Sequence, residues 1–84
     1  MELTNLPNIG AVLKENLNKI GVKTPEELRA MGAEGAWLAI RAGVDSGACL
    51  HQLQALAGAV EGVPKKELTP ERKEELKAFF EAHK

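Results

Sequence analysis

Hydrophobic residues recur at intervals of three and four along most of this chain. The first such series runs between residues 9 and 20 and consists of Ile9, Val12, Leu13, Leu17 and Ile20. This spacing places all five on one face of an α-helix and leaves the polar residues between them for solvent. The pattern predicts an amphipathic helix over residues 8–20, preceded by a single helical turn within residues 1–6.

The residues after this series predict how the first helix ends. Gly21 stands where a residue in the left-handed conformation commonly ends a helix. Val22 is then placed to fold back onto Leu17, as in a Schellman motif. We therefore expect the first helix to end at residue 20 and the chain to reverse direction there.

A second helix is predicted immediately downstream. Thr24 and Glu27 have the spacing of a capping box, in which each side chain accepts a hydrogen bond from the backbone N–H of the other. The proline between them occupies the first helical position, where its missing N–H costs nothing. We expect a helix over Pro25–Met31 with Leu28 and Met31 facing inward.

The rest of the chain predicts three further helices, over residues 33–42, residues 47–61 and from residue 69 onward. Asp45 or Ser46 is expected to cap the second of these, and Gly58 within it predicts the close approach of another helix. Trp37 is interpreted as a core anchor rather than a platform for base stacking. The inward-facing residues predicted for these three helices are Ala33, Ala36, Trp37, Ile40, Cys49, Leu53, Leu56, Ala57, Val60, Leu76, Phe79 and Phe80. No window alternates long enough to predict a strand. We predict a single all-α domain over residues 1–84, a small bundle of about five helices.

Composition narrows the class of protein. The 84 residues carry a net charge of −1, which gives no overall attraction to nucleic acid or to an anionic membrane. Lys65 and Lys66 form a basic pair that is too short for a nucleic-acid-binding tract. A single cysteine excludes an internal disulfide, and no stretch approaches the ~18 apolar residues of a membrane span. We expect a cytoplasmic protein.

No group of residues predicts catalysis or a cofactor. Asp45, Ser46 and His51 are residue types used in catalysis, but the first two stand where a helix cap is expected. Cys49 and His51 are two residues apart and point to different sides of a helix, so they are poorly placed to share a metal ion. Cys49 is instead interpreted as a buried thiol in the apolar stripe. We expect neither an enzyme nor a metal or cofactor site.

The order of motifs resembles a known family. Residues 6–10 (LPNIG), followed by an amphipathic helix and a glycine stop, resemble a helix-hairpin-helix element. Residues 28–33 (LRAMGA) and 53–62 (LQALAGAVEG) are similar to the C-terminal domain of the TfoX/Sxy competence regulators. The resemblance implies a standalone bacterial domain of this type, associated with DNA and with transcription regulation.

The candidate site that follows from this resemblance is the N-terminus of the first helix. Backbone N–H groups there lack partners within the helix, and the helix dipole favours an anion, which the resemblance suggests is a DNA phosphate. The residues assigned to this site are Asn8, Ile9, Gly10, Ala11, Val12, Lys14, Lys19 and Lys23. Helix-hairpin-helix loops that bind DNA usually carry glycine where this chain has Asn8. Asparagine tolerates the left-handed conformation, although its side chain could obstruct a close phosphate.

Two other interpretations remain open at this stage. The turn before the first helix could be purely structural, with Pro7, Asn8 and water satisfying its polar groups. Alternatively, the domain could be a protein-interaction module, either a homodimer or an adaptor for a transcription regulator. In that case Trp37, Leu38 or Phe80 would belong to an exposed patch.

Overall fold

The computed structural model describes residues 2–83, so Met1, the first residue of the predicted N-terminal turn, and Lys84 lie outside the described residues. Residues 2–83 form five α-helices, which confirms the predicted all-α bundle. The elements in chain order are a first 3-10 turn (Leu3–Asn5), α1 (Ala11–Lys19), α2 (Pro25–Met31), α3 (Ala33–Gly43), α4 (Leu50–Glu61), a second 3-10 turn (Lys65–Glu67) and α5 (Pro70–His83).

The core is centred on Trp37 of α3, which is fully buried. Its indole N–H donates a hydrogen bond to the backbone oxygen of Cys49 at 3.1 Å, so the polar atom of the ring is satisfied. Phe79 and Phe80 of α5 pack edge-on against the indole, with ring centroids 6.0 and 5.7 Å away. Trp37 is therefore a core anchor, as predicted, and is not available to stack on a base.

The predicted end of the first helix is confirmed. Gly21 has a φ of 88°, a conformation that favours glycine. The N–H of Val22 donates to the oxygen of Leu17 at 2.9 Å and that of Gly21 to the oxygen of Asn18 at 3.1 Å. These two hydrogen bonds are those of a Schellman motif, and Val22 is buried beside the helix that it terminates.

The capping box of α2 is also confirmed. The N–H of Glu27 donates to Thr24 Oγ1 at 3.1 Å, and the N–H of Thr24 donates to Glu27 Oε1 at 3.1 Å. The same carboxylate accepts a hydrogen bond from the N–H of Lys23 at 2.9 Å. The hydrogen bond from Lys23 contributes most to lowering the pKa of Glu27. The start of α2 is thus satisfied by residues within four positions of one another.

Two hydrophobic residues that were predicted to face inward are exposed. Val12 is 74% exposed and Met31 is 42% exposed. Val12 lies about 100° around the helix axis from Leu13, outside the stripe that α1 buries. Met31 is the last residue of α2, at the corner where the chain turns into α3. The buried faces of α1 and α2 are therefore narrower than the spacing of their apolar residues predicted.

The predicted start of α4 was wrong. The helix begins at Leu50, not at residue 47, and its N-cap residue is Cys49. Asp45 instead accepts a hydrogen bond from the N–H of Gly47 at 2.9 Å and closes a local turn before the helix. Neither Asp45 nor Ser46 caps the helix, and Cys49 is exposed, so the interpretation of this residue as a buried thiol was also wrong.

A charged group joins the last helix to the body of the domain. Arg72 of α5 makes a bidentate contact with Glu34 of α3, with N–O distances of 2.7 and 2.9 Å. Its Nε also lies 3.5 Å from a carboxylate oxygen of Glu61 in α4. Hydrogen bonding to Arg72 lowers the pKa of Glu34, and the same contact raises the pKa of Arg72. This contact and the two phenylalanine side chains hold α5 against α3.

Candidate nucleic-acid interface

The turn that leads into α1 depends on one residue in the left-handed conformation. Asn8 has a φ of 70°, and no other non-glycine residue in the described chain has a positive φ. Asparagine adopts this conformation more readily than most residues. The prediction that Asn8 tolerates the left-handed conformation is therefore confirmed.

The Asn8 side chain connects this turn to a distant part of the chain. Its Nδ2 donates to the backbone oxygens of Ala55 at 3.3 Å and Val63 at 3.1 Å. Its Oδ1 accepts a hydrogen bond from the N–H of Lys65 at 3.1 Å. Because these three contacts hold the amide against α4 and the loop that follows it, the side chain is not free to turn back over the start of α1.

Gly58 provides the space for this connection. A Cβ atom at Gly58 would overlap the Nδ2 of Asn8 and would lie 2.6 Å from the backbone oxygen of Val63. The close approach predicted at Gly58 therefore exists, but the neighbours are the Asn8 side chain and the loop after α4. The helical element near this position is the second 3-10 turn, where the Cα of Lys65 lies 3.3 Å from that Cβ.

The N-terminus of α1 is open. Gly10 is its N-cap residue, no side chain caps it, and its first turn holds no acidic residue. Within residues 2–83, no hydrogen-bond acceptor is found for the N–H groups of residues 10–13. Gly10, Ala11 and Val12 are exposed. Aligned N–H groups at a helix N-terminus attract an anion, and this one is accessible from solvent.

The backbone N–H of Ile9 differs from the rest of the predicted site. It donates to the backbone oxygen of Leu6 at 3.5 Å, and the Ile9 side chain is buried in the core. Ile9 therefore fixes the position of the turn and does not offer a free donor.

The structure separates the three lysines that were assigned to the site. Lys14 lies one turn into α1 and forms an ion pair with Glu2 at 3.4 Å. Lys19 forms an ion pair with Glu15 at 3.4 Å and lies roughly 12 Å along the axis from the first residue of α1. Lys23 follows the C-terminal end of the same helix. Only Lys14 is close to the open N–H groups.

The sequence did not predict the contacts that Asn8 makes with α4 and with the segment that follows it. The contacts of Asn8 join residues 47, 55 and 57 positions apart in the chain. They involve backbone groups of Ala55, Val63 and Lys65, and a backbone group has no side-chain signature in the sequence. Gly58 was the one local signal, because a glycine inside a helix indicates a close neighbour without identifying it.

The other residue types with catalytic potential do not form a site in the described residues. The carboxylate of Asp45 is engaged by the N–H of Gly47, and both Cys49 and His51 are exposed. Residues 2–83 contain no cluster of three side chains able to hold a metal ion and no enclosed pocket. None of the described helices has the length and apolar character needed to cross a membrane.

Comparison with known proteins identifies the family. No curated protein matches the chain. Two solved structures from Listeria monocytogenes are each 44% identical to it: an uncharacterised protein in a triclinic form and a protein of unknown function in a tetragonal form. The triclinic form superposes with a TM-score of 0.95 over 98% of this chain and 92% of that one, and the tetragonal form with 0.94 over 98% and 99%. The family model described as the TfoX C-terminal domain matches residues 1–80. The chain therefore belongs to the TfoX C-terminal domain family.

Proposed function

We propose that this domain is a non-catalytic regulatory module that binds the backbone of double-stranded DNA through the turn at residues 8–12. The observation that carries the proposal is the open N-terminus of α1, where exposed N–H groups have no acceptor within residues 2–83. Membership of the TfoX C-terminal family, which is related to competence regulators, supports a role in transcription regulation.

The geometry of the turn favours a phosphate as the ligand. Gly10 has no side chain, so an anion can approach the N–H groups at the helix start closely. Asn8, the residue that could have obstructed the anion, is held on α4 by its hydrogen bonds. Lys14 stands one turn away and can exchange its exposed contact with Glu2 for a phosphate oxygen.

The expected binding is weak, independent of sequence and sensitive to salt. Phosphate contacts position a protein on DNA but carry no base information. Each neutralised phosphate releases counterions, so affinity falls as the salt concentration rises. The net charge of −1 adds no general attraction, so all of the affinity has to come from the local site.

The direct test is a titration of fluorescently labelled duplex DNA, followed by anisotropy at about 50 mM and about 200 mM salt. The decisive variant is Gly10→Asp, which places a carboxylate on the open N–H groups and repels a phosphate. The matched control is Gly10→Ala, because Gly10 has a φ of −97° and a Cβ there meets no atom within 4 Å. We expect Gly10→Asp to weaken binding at least tenfold, which corresponds to ~1.4 kcal/mol, and Gly10→Ala to change it little.

A second pair of variants locates the site along α1. Lys14→Glu and Lys19→Glu make the same change of charge, and each removes one ion pair with a 3.4 Å separation. Only Lys14 lies beside the open end of the helix. We expect Lys14→Glu to weaken binding more than Lys19→Glu. Equal effects of the two variants would mean that the protein responds to net charge and has no local phosphate site.

The alternative proposal is a protein-interaction module without direct DNA binding. Trp37 is not one of its anchors, since it is buried, and Leu38 and Phe80 are only half-buried. The observation that favours this alternative is the 74% exposure of Val12. Absence of DNA binding at low salt, together with a dimer in analytical ultracentrifugation that Val12→Asp dissociates, would select it.

A further inference from the structure

The surface beside the α1 turn includes lysines from two other elements. The N–H of Lys65, in the second 3-10 turn, donates to Asn8 Oδ1, so the Lys65 backbone lies directly against the turn at residues 8–12. Lys73 of α5 reaches the same segment, with its Nζ 3.4 Å from the backbone oxygen of Lys66. Lys65, Lys66 and Lys73 therefore form one group, which we call the basic edge, and the Lys65 backbone joins this group to Asn8, two residues before the N-cap of α1.

The charges of the basic edge are available. Lys65 and Lys66 are exposed, and Lys73 is half-buried. Within residues 2–83, no carboxylate forms an ion pair with any of the three. By contrast, Lys14 and Lys19 of α1 are each paired with a glutamate. Unpaired positive charge thus lies in the segment after α4, which contacts Asn8 through the Lys65 backbone.

We infer that the basic edge is the second half of the DNA-binding surface and contacts phosphates next to the one bound by α1. This inference rests on the proposed function and adds the residues that supply its charge. The N–H groups of α1 are neutral donors, whereas each lysine is a compact point charge on a flexible stem. Donors and charges side by side match the repeated phosphates of a duplex backbone, and neither reads the bases.

The two parts of the surface are held at a fixed separation by the protein itself. Asn8 belongs to the turn, and its Oδ1 fixes the Lys65 backbone at 3.1 Å. The same side chain is anchored to α4 through Ala55. The Lys65 backbone is therefore fixed relative to the turn that precedes α1.

The test is the dependence of the DNA affinity on salt concentration. The slope of log K against log salt is about −0.9 for each phosphate contact on duplex DNA. We expect Lys65→Gln and Lys66→Gln each to weaken binding and to make the slope shallower by up to about 0.9. The matched control is Arg29→Gln, an exposed residue of α2 that removes one positive charge at a position outside the basic edge. Circular dichroism and thermal melting confirm that each variant is folded before it is titrated.

The outcomes separate this inference from the proposed function. If the wild-type domain binds no DNA at low salt, both are overturned. If it binds, and Gly10→Asp abolishes binding while the lysine variants keep the wild-type slope, the basic edge is excluded and the α1 site stands. If the lysine variants lose affinity and slope while Arg29→Gln does not, the basic edge is supported. A loss of the same size in Arg29→Gln overturns the inference, because the effect is then one of net charge.

Discussion

The starts of α1 and α2 differ in whether side chains accept hydrogen bonds from their N–H groups. The first N–H groups of any helix lack partners within it. At α2, Thr24 and Glu27 supply the acceptors, and both residues lie at the helix start itself. At α1, no side chain caps the N-terminus, and the preceding turn is fixed by Asn8 through groups at least 47 positions away in the chain.

The comparison shows that a helix start can be held rigidly although its first N–H groups have no hydrogen-bond acceptors. The capping box holds the chain and at the same time occupies the N–H groups of Thr24 and Glu27. The contacts of Asn8 hold the turn from the other side, so the donors of α1 remain accessible while their position is fixed. A preorganised set of donors is what weak recognition of an anion requires, because little ordering is left to be done on binding.

The largest effect is expected from filling the space at Gly58. In Gly58→Ala, the new Cβ overlaps Asn8 Nδ2 and approaches the Val63 oxygen, so the contacts that fix the α1 turn are displaced. We expect the free energy of unfolding to fall by about 2–4 kcal/mol, measured by urea denaturation. The control is Gly35→Ala in α3, where the Cβ meets only the flexible Met31 side chain at 3.3 Å. A neutral Gly58→Ala would show that the Asn8 contacts are not needed for the fold.

Removing the Asn8 side chain is expected to have the next largest effect. Asn8→Gly keeps the left-handed backbone but loses all the side-chain hydrogen bonds, and we expect a loss of about 2 kcal/mol. Asn8→Ala loses the same bonds and adds about 1 kcal/mol of strain at a φ of 70°. Urea denaturation of both variants separates the hydrogen bonds from the backbone conformation. A more stable Asn8→Gly variant would contradict the assigned role of the side chain.

At the start of α2, the corresponding substitution is Thr24→Ala, with a smaller expected effect. It removes the acceptor for the N–H of Glu27, and we expect a loss of about 1 kcal/mol in the free energy of unfolding. Thr24→Ser retains a hydroxyl and is expected to recover most of that loss. DNA binding is expected to stay unchanged in both variants, and a parallel loss of binding would place the interface at α2 instead of α1.

The smallest change in stability is expected from giving α1 a side-chain cap of the kind that α2 has. Gly10→Asp gives α1 the side-chain cap that it lacks, and we expect the domain to gain a few tenths of a kcal/mol in thermal denaturation. Gly10→Ala, which supplies no acceptor, serves as the reference. A variant that gains stability while it loses DNA binding would show that the open N–H groups serve binding. Loss of both would indicate that the carboxylate disturbs the turn.

Two features that depend on neighbouring residues, the end of α1 and the start of α2, were predicted correctly from the sequence. The Schellman motif at Gly21 and the capping box at Thr24 each require side-chain and backbone choices within a few positions, and both are present. The burial of Trp37 was also predicted, because a large aromatic residue in an apolar helical stripe usually packs in the core.

Features that depend on packing were predicted less well. The exposure of Val12 depends on which part of the α1 surface the other elements cover. The start of α4 at Leu50 is a local feature that was missed as well, because a turn at Asp45 competes with the helix for the same residues. For the candidate site, the sequence identified the turn and Lys14 but could not place Lys65 beside them, because the contact is made by a backbone N–H.

The large sequence separation between Asn8 and its partners also sets the order in which these contacts can form while the chain is being synthesised. Its partners at Val63 and Lys65 follow it by 55 and 57 residues. The residues of the α2 capping box, by contrast, lie within four positions of one another and leave the ribosome together. The turn before α1, although it is made earlier, has to wait for the loop after α4 before its conformation is fixed. The end of this domain that would meet DNA is therefore completed only once most of the remaining chain is in place.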